Sequence, residues 1–243
     1  MNEVTIILIL GFLSIMQSIF GVGLLLFGTP SFILMGFNFN ETLTMLLPLS
    51  ISISFLQVLK SNENIANFKI NFNFYCIPFL ITASFLVLKY ENIINFKLLI
   101  CVLLILTSVI SLKKKKFKNI KLITVKYQKL IHSLIGLIHG MTNMGGGFLS
   151  IFSFIINNNQ KYKSRKCIAY SYLIMGIFQY IVLLFLFREN LNFQRLYLVA
   201  MSIFIFFISQ FIFKNISEKK FSRNISLISL VYGLYILYSL IIN

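Results

Sequence analysis

Apolar runs of about 20 residues recur along the whole chain, and they constrain its fold more than any other feature. Only 12% of the 243 residues are charged, about half the share of a soluble domain. Helices suit such runs because a segment in lipid must satisfy its own backbone hydrogen bonds. The sequence therefore predicts an all-α, polytopic membrane protein of about eight hydrophobic segments, at 4–35, 43–59, 72–88, 93–112, 130–156, 167–187, 196–213 and 225–242.

Two of the predicted segments are interrupted by glycine. One break lies at 139–147 and holds three consecutive glycines, and a weaker copy lies at 17–23, where Val22 separates two glycines. Each glycine costs a helix about 1 kcal/mol relative to alanine, and freed backbone at membrane depth is tolerated where it is buried in protein or lines a cavity. The duplicated breaks therefore predict two half-sites near the middle of the membrane, which favours transport.

A basic linker divides the eight segments four and four. We predict a first membrane repeat at 1–112, a cytoplasmic linker at 113–129 and a second membrane repeat at 130–243. Each half begins with a long glycine-broken segment and continues with three plainer ones. When the breaks are aligned, Gln57 falls opposite Gln179 after a two-residue gap. Internal repeats of this kind are common in secondary transporters.

The distribution of basic residues indicates how the halves are related. If each broken segment crosses the membrane once, the 22 Lys and Arg residues divide 12 to 10 between the two sides. If each broken segment enters and returns as a hairpin, 18 of them share one side, as the positive-inside rule expects. We therefore predict two inverted repeats, each opening with a hairpin-like segment, with both termini outside. Re-entrant hairpins, paired short spans and single crossings stay open as forms of the broken segments.

The residues around the breaks form the candidate substrate site. Half-helices that meet at a glycine break present free N–H groups and a positive dipole end, which bind an anion without a charged side chain. The sequence has no Asp, and its six Glu residues lie in loops or at segment ends, so a cation substrate would lack a counter-charge. The candidate substrate-binding residues are Gln17, Ser18, Gly21, Gly23, Gln57, His139, Thr142, Asn143, Gly145, Gly146, Gly147, Ser171 and Gln179.

The same features also have purely structural interpretations. Small residues let membrane helices pack closely, which would account for the glycines. Gln57 and Gln179 need partners inside an apolar run, and bonds between helices would supply them as well as a substrate would. A lone histidine such as His139 is more often structural than a proton carrier. These alternatives stay open from the sequence.

Other classes of function find little support. The net charge of +16 sits in short loops, where it sets topology and meets anionic lipid headgroups rather than nucleic acid. The three Cys residues are isolated, and no metal constellation, nucleophile–base pair or nucleotide motif occurs. We therefore expect no enzyme activity, no cofactor and no metal. The expected partners are a small anion and the lipid bilayer, and a homodimer stays open.

These motifs resemble those of the sulfite exporter TauE/SafE family of small permeases, whose halves typically carry a glycine-rich turn, a proline and a Gly-Thr-Ser-like patch. Here 140–147 matches the second turn and 169–173 stands at its patch. The first half has Val22 in place of a glycine, then Pro30, and 43–46 at its patch without a glycine. The resemblance covers essentially the whole chain and implies transport of sulfite, a sulfonate or another small organic anion. We expect a multi-pass permease of the bacterial inner membrane that works by alternating access, with an anion channel or a non-transporting assembly partner as the alternatives.

Overall fold

The computed structural model describes residues 3–91, 120–187 and 196–217, together with the single positions 102, 106, 227, 230, 231, 234 and 238. The regular structure in these residues is helical. The elements are α1 (Glu3–Phe20), a π-helical turn (Leu24–Gly28), α2 (Thr29–Leu34), α3 (Phe39–Leu59), α4 (Ala66–Lys89), α5 (Ile120–Lys126), α6 (Gln128–Thr142), α7 (Gly146–Ile156), α8 (Lys161–Leu186) and α9 (Leu196–Asn215).

The bundle has the surface of a membrane protein. Helices α1, α3, α4, α8 and α9 are each long and apolar enough to cross a membrane. Their outward faces carry Phe74, Phe185 and Phe211, each more than 70% exposed, and a soluble monomer rarely exposes so much apolar surface. The predicted all-α, polytopic membrane fold is confirmed. The predicted segments 93–112 and 225–242 lie largely outside the described residues.

Several helices begin earlier than the apolar runs predict. Helix α3 begins at Phe39, where Glu41 accepts a hydrogen bond from the N–H of Asn38 at 3.1 Å and caps the first turn. Helix α8 begins at Lys161 and carries the basic residues 161–166 in its first turns rather than in a loop. Part of the predicted linker is also helical, as α5. Hydropathy marks where a helix leaves the apolar layer, whereas capping and backbone bonds decide where it starts.

Hydrogen bonds between helix ends fix the direction of three long helices. Lys166, near the start of α8, donates to the carbonyl of Ser61, just beyond the end of α3, at 2.5 Å. Lys161 donates to the carbonyls of Phe213 and Lys214 at the end of α9, both at 3.2 Å. Helix α8 is therefore antiparallel to both α3 and α9. We call the end of the bundle where α8 begins the basic face, and the other end the opposite face.

The first broken segment begins and ends at the opposite face. Tyr197, at the start of α9, donates to the carboxylate of Glu3 at 2.7 Å, so α1 begins there. Helix α3 also begins at that face, because it ends at the basic face, and α2 leads directly into it. The segment from Glu3 to Leu34 is therefore a hairpin. Its arms of 18 and 11 residues are about 27 and 16 Å long, short of the ~30 Å hydrocarbon core.

The second broken segment begins and ends at the basic face. Helix α4 begins at the basic face, because only a short loop separates it from the end of α3. Helix α6 runs parallel to α4, since Ser133 donates to the carbonyl of Tyr75 at 3.1 Å and Gly140, further along, lies against Leu80. After α7 the chain returns to α5, where Lys121 donates to the side chain of Asn158 at 2.9 Å. A single crossing of 27 residues would separate those ends by about 40 Å. The two hairpins therefore enter the bundle from opposite ends.

Each of the main contacts between a helix of the first half and a helix of the second half has a counterpart in which the two halves swap roles. Helix α4 packs on α6 as α9 packs on α1, and α4 packs on α8 as α9 packs on α3. The central contact joins α3 and α8, which occupy matching places in their halves. Inverted repeats would give exchanged contacts of this kind, and the inverted relation of the two halves stays a prediction. Which face lies in the cytoplasm stays a prediction.

Candidate substrate-binding site

The first break follows α1 and turns the chain back toward the opposite face. Gly21 has φ +79°, a left-handed conformation that L side chains rarely adopt. A Cβ there would also stand 3.1 Å from the Cγ2 of Ile168 in α8. Gly23 packs against the backbone of Gln17 and Leu13 in the last turns of α1. Helix α1 ends here because Gly21 can adopt the left-handed turn and leaves room for α8.

Two glutamines hold the first break in place. The side-chain nitrogen of Gln17 donates to the carbonyl and the hydroxyl of Ser50, at 3.0 and 2.8 Å, and lies 3.1 Å from the hydroxyl of Ser54. The side-chain nitrogen of Gln57 donates to the carbonyls of Gln17 and Ser18, at 2.7 and 3.1 Å. Both carbonyls belong to the last turn of α1, and the Gln17 carbonyl also accepts from the N–H of Gly21 at 2.8 Å. Both glutamines therefore tie the hairpin to α3.

A guanidinium that the sequence analysis assigned to a loop also lies at the first break. Arg165 donates to the carbonyl of Ser18 and, at 3.1 Å, to the side-chain oxygen of Gln210. Its carbon lies 3.9 Å from the ring centroid of Phe213, and the residue is only 8% exposed. A cation at the carbonyl end of a helix is favourable. The sequence signal for this contact is a single Arg, four residues after Lys161, in a stretch that continues directly into an apolar helix.

The second break is closed by its own side chains and reaches across to the first half. Asn143 takes the left-handed conformation, with φ 62°, and its N–H donates to the carbonyl of His139 at 2.6 Å. Its side-chain nitrogen donates to the hydroxyl of Thr29 at 2.9 Å. The hydroxyl of Thr142 donates to the carbonyl of Ile138 at 2.7 Å and lies 3.2 Å from the N–H of Met144. The two broken segments are thus in direct contact.

Helix α7 starts at the three glycines, beside an aromatic pair. A Cβ added at Gly146 would overlap the hydroxyl oxygen of Tyr172, so only glycine fits while that tyrosine keeps its place. Gly145 packs on His139, and the rings of His139 and Tyr172 meet edge to face with centroids 5.7 Å apart. The start of a helix therefore lies against a tyrosine hydroxyl and an imidazole. Such a start presents N–H groups and a positive dipole end.

Buried polar side-chain atoms without a hydrogen-bond partner among the described residues occur at both breaks. At the first, the amide oxygens of Gln17 and Gln57 and the hydroxyl of Ser18 have no hydrogen-bond partner in the described part of the chain. At the second, the unpaired atoms include both ring nitrogens of His139 and the hydroxyl of Tyr172. An unpaired amide oxygen can only accept a hydrogen bond, whereas a hydroxyl, an imidazole or a phenol can donate one. The second break therefore has donors to offer an anion.

The remaining candidate residues are buried but differ in their bonding. Gln179 lies two turns beyond Tyr172 on α8, is fully buried, and has no partner for either amide atom among the described residues. Ser171 donates to the carbonyl of Cys167 in its own helix, at 2.9 Å. The N–H of Gly147 lies 3.3 Å from the carbonyl of Met144. Across the described ranges, no three His, Cys, Asp or Glu side chains come together to hold a metal.

One known family matches both halves of the chain. The family model described as "Sulfite exporter TauE/SafE" matches residues 6–236, nearly the full chain. No curated protein and no solved structure matches. That family consists of membrane transporters, the class that the broken helices and apolar surface also indicate. The chain therefore belongs to the sulfite exporter TauE/SafE family.

Proposed function

We propose that this transporter moves a small anion, such as sulfite or a sulfonate, by alternating access, and that the second break holds the anion. The observation that carries the proposal is the set of buried donors without partners at the start of α7. His139 and Tyr172 stand beside Gly145 and Gly146, and both side chains are fully buried. A buried donor left unpaired costs about 1–3 kcal/mol, and an anion that accepts from it recovers that energy.

The chemistry of the site favours an anion over other substrates. The start of α7 offers backbone N–H groups and a positive dipole end to a ligand. All described carboxylates, Glu3, Glu41, Glu63 and Glu91, lie at helix ends or in loops. A cation at the second break would meet donors and no counter-charge. An oxyanion accepts from N–H, imidazole and phenol groups at once, so its oxygens suit this set.

Alternating access requires two parts of the protein that can move relative to each other, and the two hairpins could be these parts. They enter from opposite ends of the bundle and meet at the contact of Asn143 with Thr29. Rocking of one hairpin against the other would open the site first to one face and then to the other. We propose that the first hairpin, held by Gln17 and Gln57, is the fixed partner in this motion.

Uptake into proteoliposomes tests the proposal. We expect saturable uptake, accelerated by unlabelled anion on the far side, for at least one member of a panel of sulfite, sulfonates and carboxylates. Tyr172→Phe removes only a hydroxyl, so we expect the protein to fold normally while half-saturation rises about tenfold, the equivalent of ~1.4 kcal/mol. Gly11→Ala is the matched control, because a Cβ at Gly11 meets nothing closer than 3.8 Å.

Each alternative gives a different result in the same assay. An anion channel would show flux that rises without saturation and without acceleration from the far side. A non-transporting assembly partner would move none of the panel, and Gly146→Leu would leave its cellular function intact provided that it folds. If no anion binds or moves, the proposed function is wrong.

A further inference from the structure

A cavity of about 420 Å³ opens at the basic face, beside the first break. It lies between the end of α3, the start of α8 and the end of α9. Four cationic side chains line it, Lys60, Arg165, Lys166 and Lys214, against one carboxylate, Glu63. The lining therefore carries three more positive than negative charges. Such a concave basic surface raises the local concentration of anions.

The hydrogen bonds of the buried cation in this cavity go to neutral groups. Arg165 donates to the Ser18 carbonyl and to the Gln210 amide oxygen, and Lys166 donates to the Ser61 carbonyl. The Nε of Arg165 has no partner in the described part of the chain, although the residue is more than nine-tenths buried. A buried charge without a counter-charge is costly. An anion in the cavity would supply the missing charge.

We propose that this cavity is a second anion-binding site, a vestibule that takes a small oxyanion with Arg165 as its principal ligand. A guanidinium presents a planar fork of donors that matches two oxygens of a sulfite, sulfate or sulfonate group. Lys60 and Lys214 are exposed at the rim and add long-range attraction. The inference goes beyond the proposed function, because it places binding beside the first break, away from the donors of the second break.

The vestibule is also linked to the first hairpin. The guanidinium that would take the anion already caps the last turn of α1 through the carbonyl of Ser18. Gln57, another residue of the cavity lining, holds that same carbonyl. An anion bound by Arg165 competes with the carbonyl for the guanidinium, so binding in the vestibule weakens one of the bonds that hold the first break.

Calorimetric titration of the detergent-purified, full-length protein with sulfate tests the inference without any need for transport. We expect Arg165→Met to weaken sulfate binding at least about tenfold. Because Arg165 also caps α1, Lys214→Met provides a second, milder variant, for which we expect binding about fivefold weaker. Lys89→Met, at the other end of α4, removes the same charge from the opposite face and should leave binding unchanged.

The outcomes separate this inference from the proposed function. Absence of sulfate binding, or equal binding by all three variants, overturns the vestibule. Sulfate binding that only the cavity variants weaken, with no transport of any anion, supports the vestibule and overturns the proposed function. A lipid headgroup phosphate has the same chemistry as the free anion, so added short-chain phosphatidylglycerol identifies the source. Displacement of sulfate by that lipid assigns the site to headgroups, and its failure assigns the site to free oxyanions.

Discussion

The two glycine breaks look alike in sequence but are used differently in the molecule. The first is held by side chains on all sides: Gln17 reaches α3, and Gln57 and Arg165 take up the last carbonyls of α1. The second meets His139 and Tyr172, whose polar atoms have no hydrogen-bond partner among the described residues. In a membrane, bonded polar side chains such as Gln17 and Gln57 hold helices together, whereas His139 and Tyr172 make no such bond in the described part of the chain and are free to bind a ligand. Under the proposed function, the first break is therefore the fixed element and the second is the binding element.

A set of exchanged side chains underlies this difference. In the alignment of the halves, Val22 lies opposite Gly146, and Ser50 lies opposite Tyr172. The second half therefore has a glycine and a tyrosine at these two positions, whereas the first half has a valine and a serine. Gln17 lies opposite Met141, so the amide that bonds to Ser50 has no counterpart in the second half. The hydrogen bonding of the first break is therefore not repeated at the second.

The largest effect is expected from making the second break resemble the first. Gly146→Val places a side chain on the Tyr172 hydroxyl, and overpacking of this kind costs about 1–3 kcal/mol. We expect a lower melting temperature in detergent and no measurable transport. Adding Tyr172→Ser removes the ring that the new side chain would meet, with the residue types found at positions 22 and 50. This double variant should recover the melting temperature but not transport, since the phenol donor is lost. Normal transport by Gly146→Val alone would contradict the proposed site.

The next largest effect is expected from replacing the two matching glutamines, Gln57 and Gln179. The two replacements should change stability in different ways. Gln57→Leu removes hydrogen bonds to the carbonyls of Gln17 and Ser18, and we expect a loss of about 1–2 kcal/mol of stability. Gln179→Leu removes an amide whose atoms have no partner in the described residues, so stability should be unchanged or higher.

Transport measurements complete the comparison of the glutamines. We expect Gln179→Leu to reduce uptake, because Gln179 lies on the same face of α8 as Tyr172. Gln57→Leu should reduce uptake only as far as it reduces the amount of folded protein. Equal melting temperatures for the two variants would show that the first break is not held more firmly than the second.

Much of the fold could be predicted from the sequence because lipid imposes strong rules. The apolar runs, the glycine breaks and the charge distribution together predict helices and hairpins that enter from opposite ends. Helix starts cannot be predicted in the same way: hydropathy places residues 161–166 in a loop, although they form the first turns of α8. That error hid Arg165, because the charge of a loop residue indicates topology and nothing about a site.

The sequence indicates which polar residues lie near the breaks, but it does not indicate which of them are hydrogen-bonded. The glycines and the glutamine pair indicate where the chain breaks and which polar groups lie near the breaks. Whether Gln57 or Gln179 is already bonded depends on the rotation of α3 and α8 and on contacts of distant residues, such as Asn143 with Thr29, 114 positions apart. No local pattern contains that information, so the difference between the breaks required the folded structure.

The smallest effect is expected where the two hairpins touch. Thr29→Val keeps the shape of the side chain but removes the oxygen that accepts from Asn143 at 2.9 Å. A hydrogen bond between membrane helices contributes about 0.6 kcal/mol on average, so we expect a small fall in melting temperature. Thr44→Val is a matched control, because the Thr44 hydroxyl donates within its own helix to the carbonyl of Asn40.

The contact between Asn143 and Thr29 should affect transport rates more clearly than it affects stability. If the hairpins move past each other, the bond between Asn143 and Thr29 exists in only part of the cycle, and Thr29→Val shifts the balance between the two ends of that motion. We then expect uptake and efflux of the same anion to change by unequal factors, whereas Thr44→Val changes neither. Equal factors for both directions would mean that the two hairpins stay together throughout the cycle, and the second break would then open by a motion within its own half.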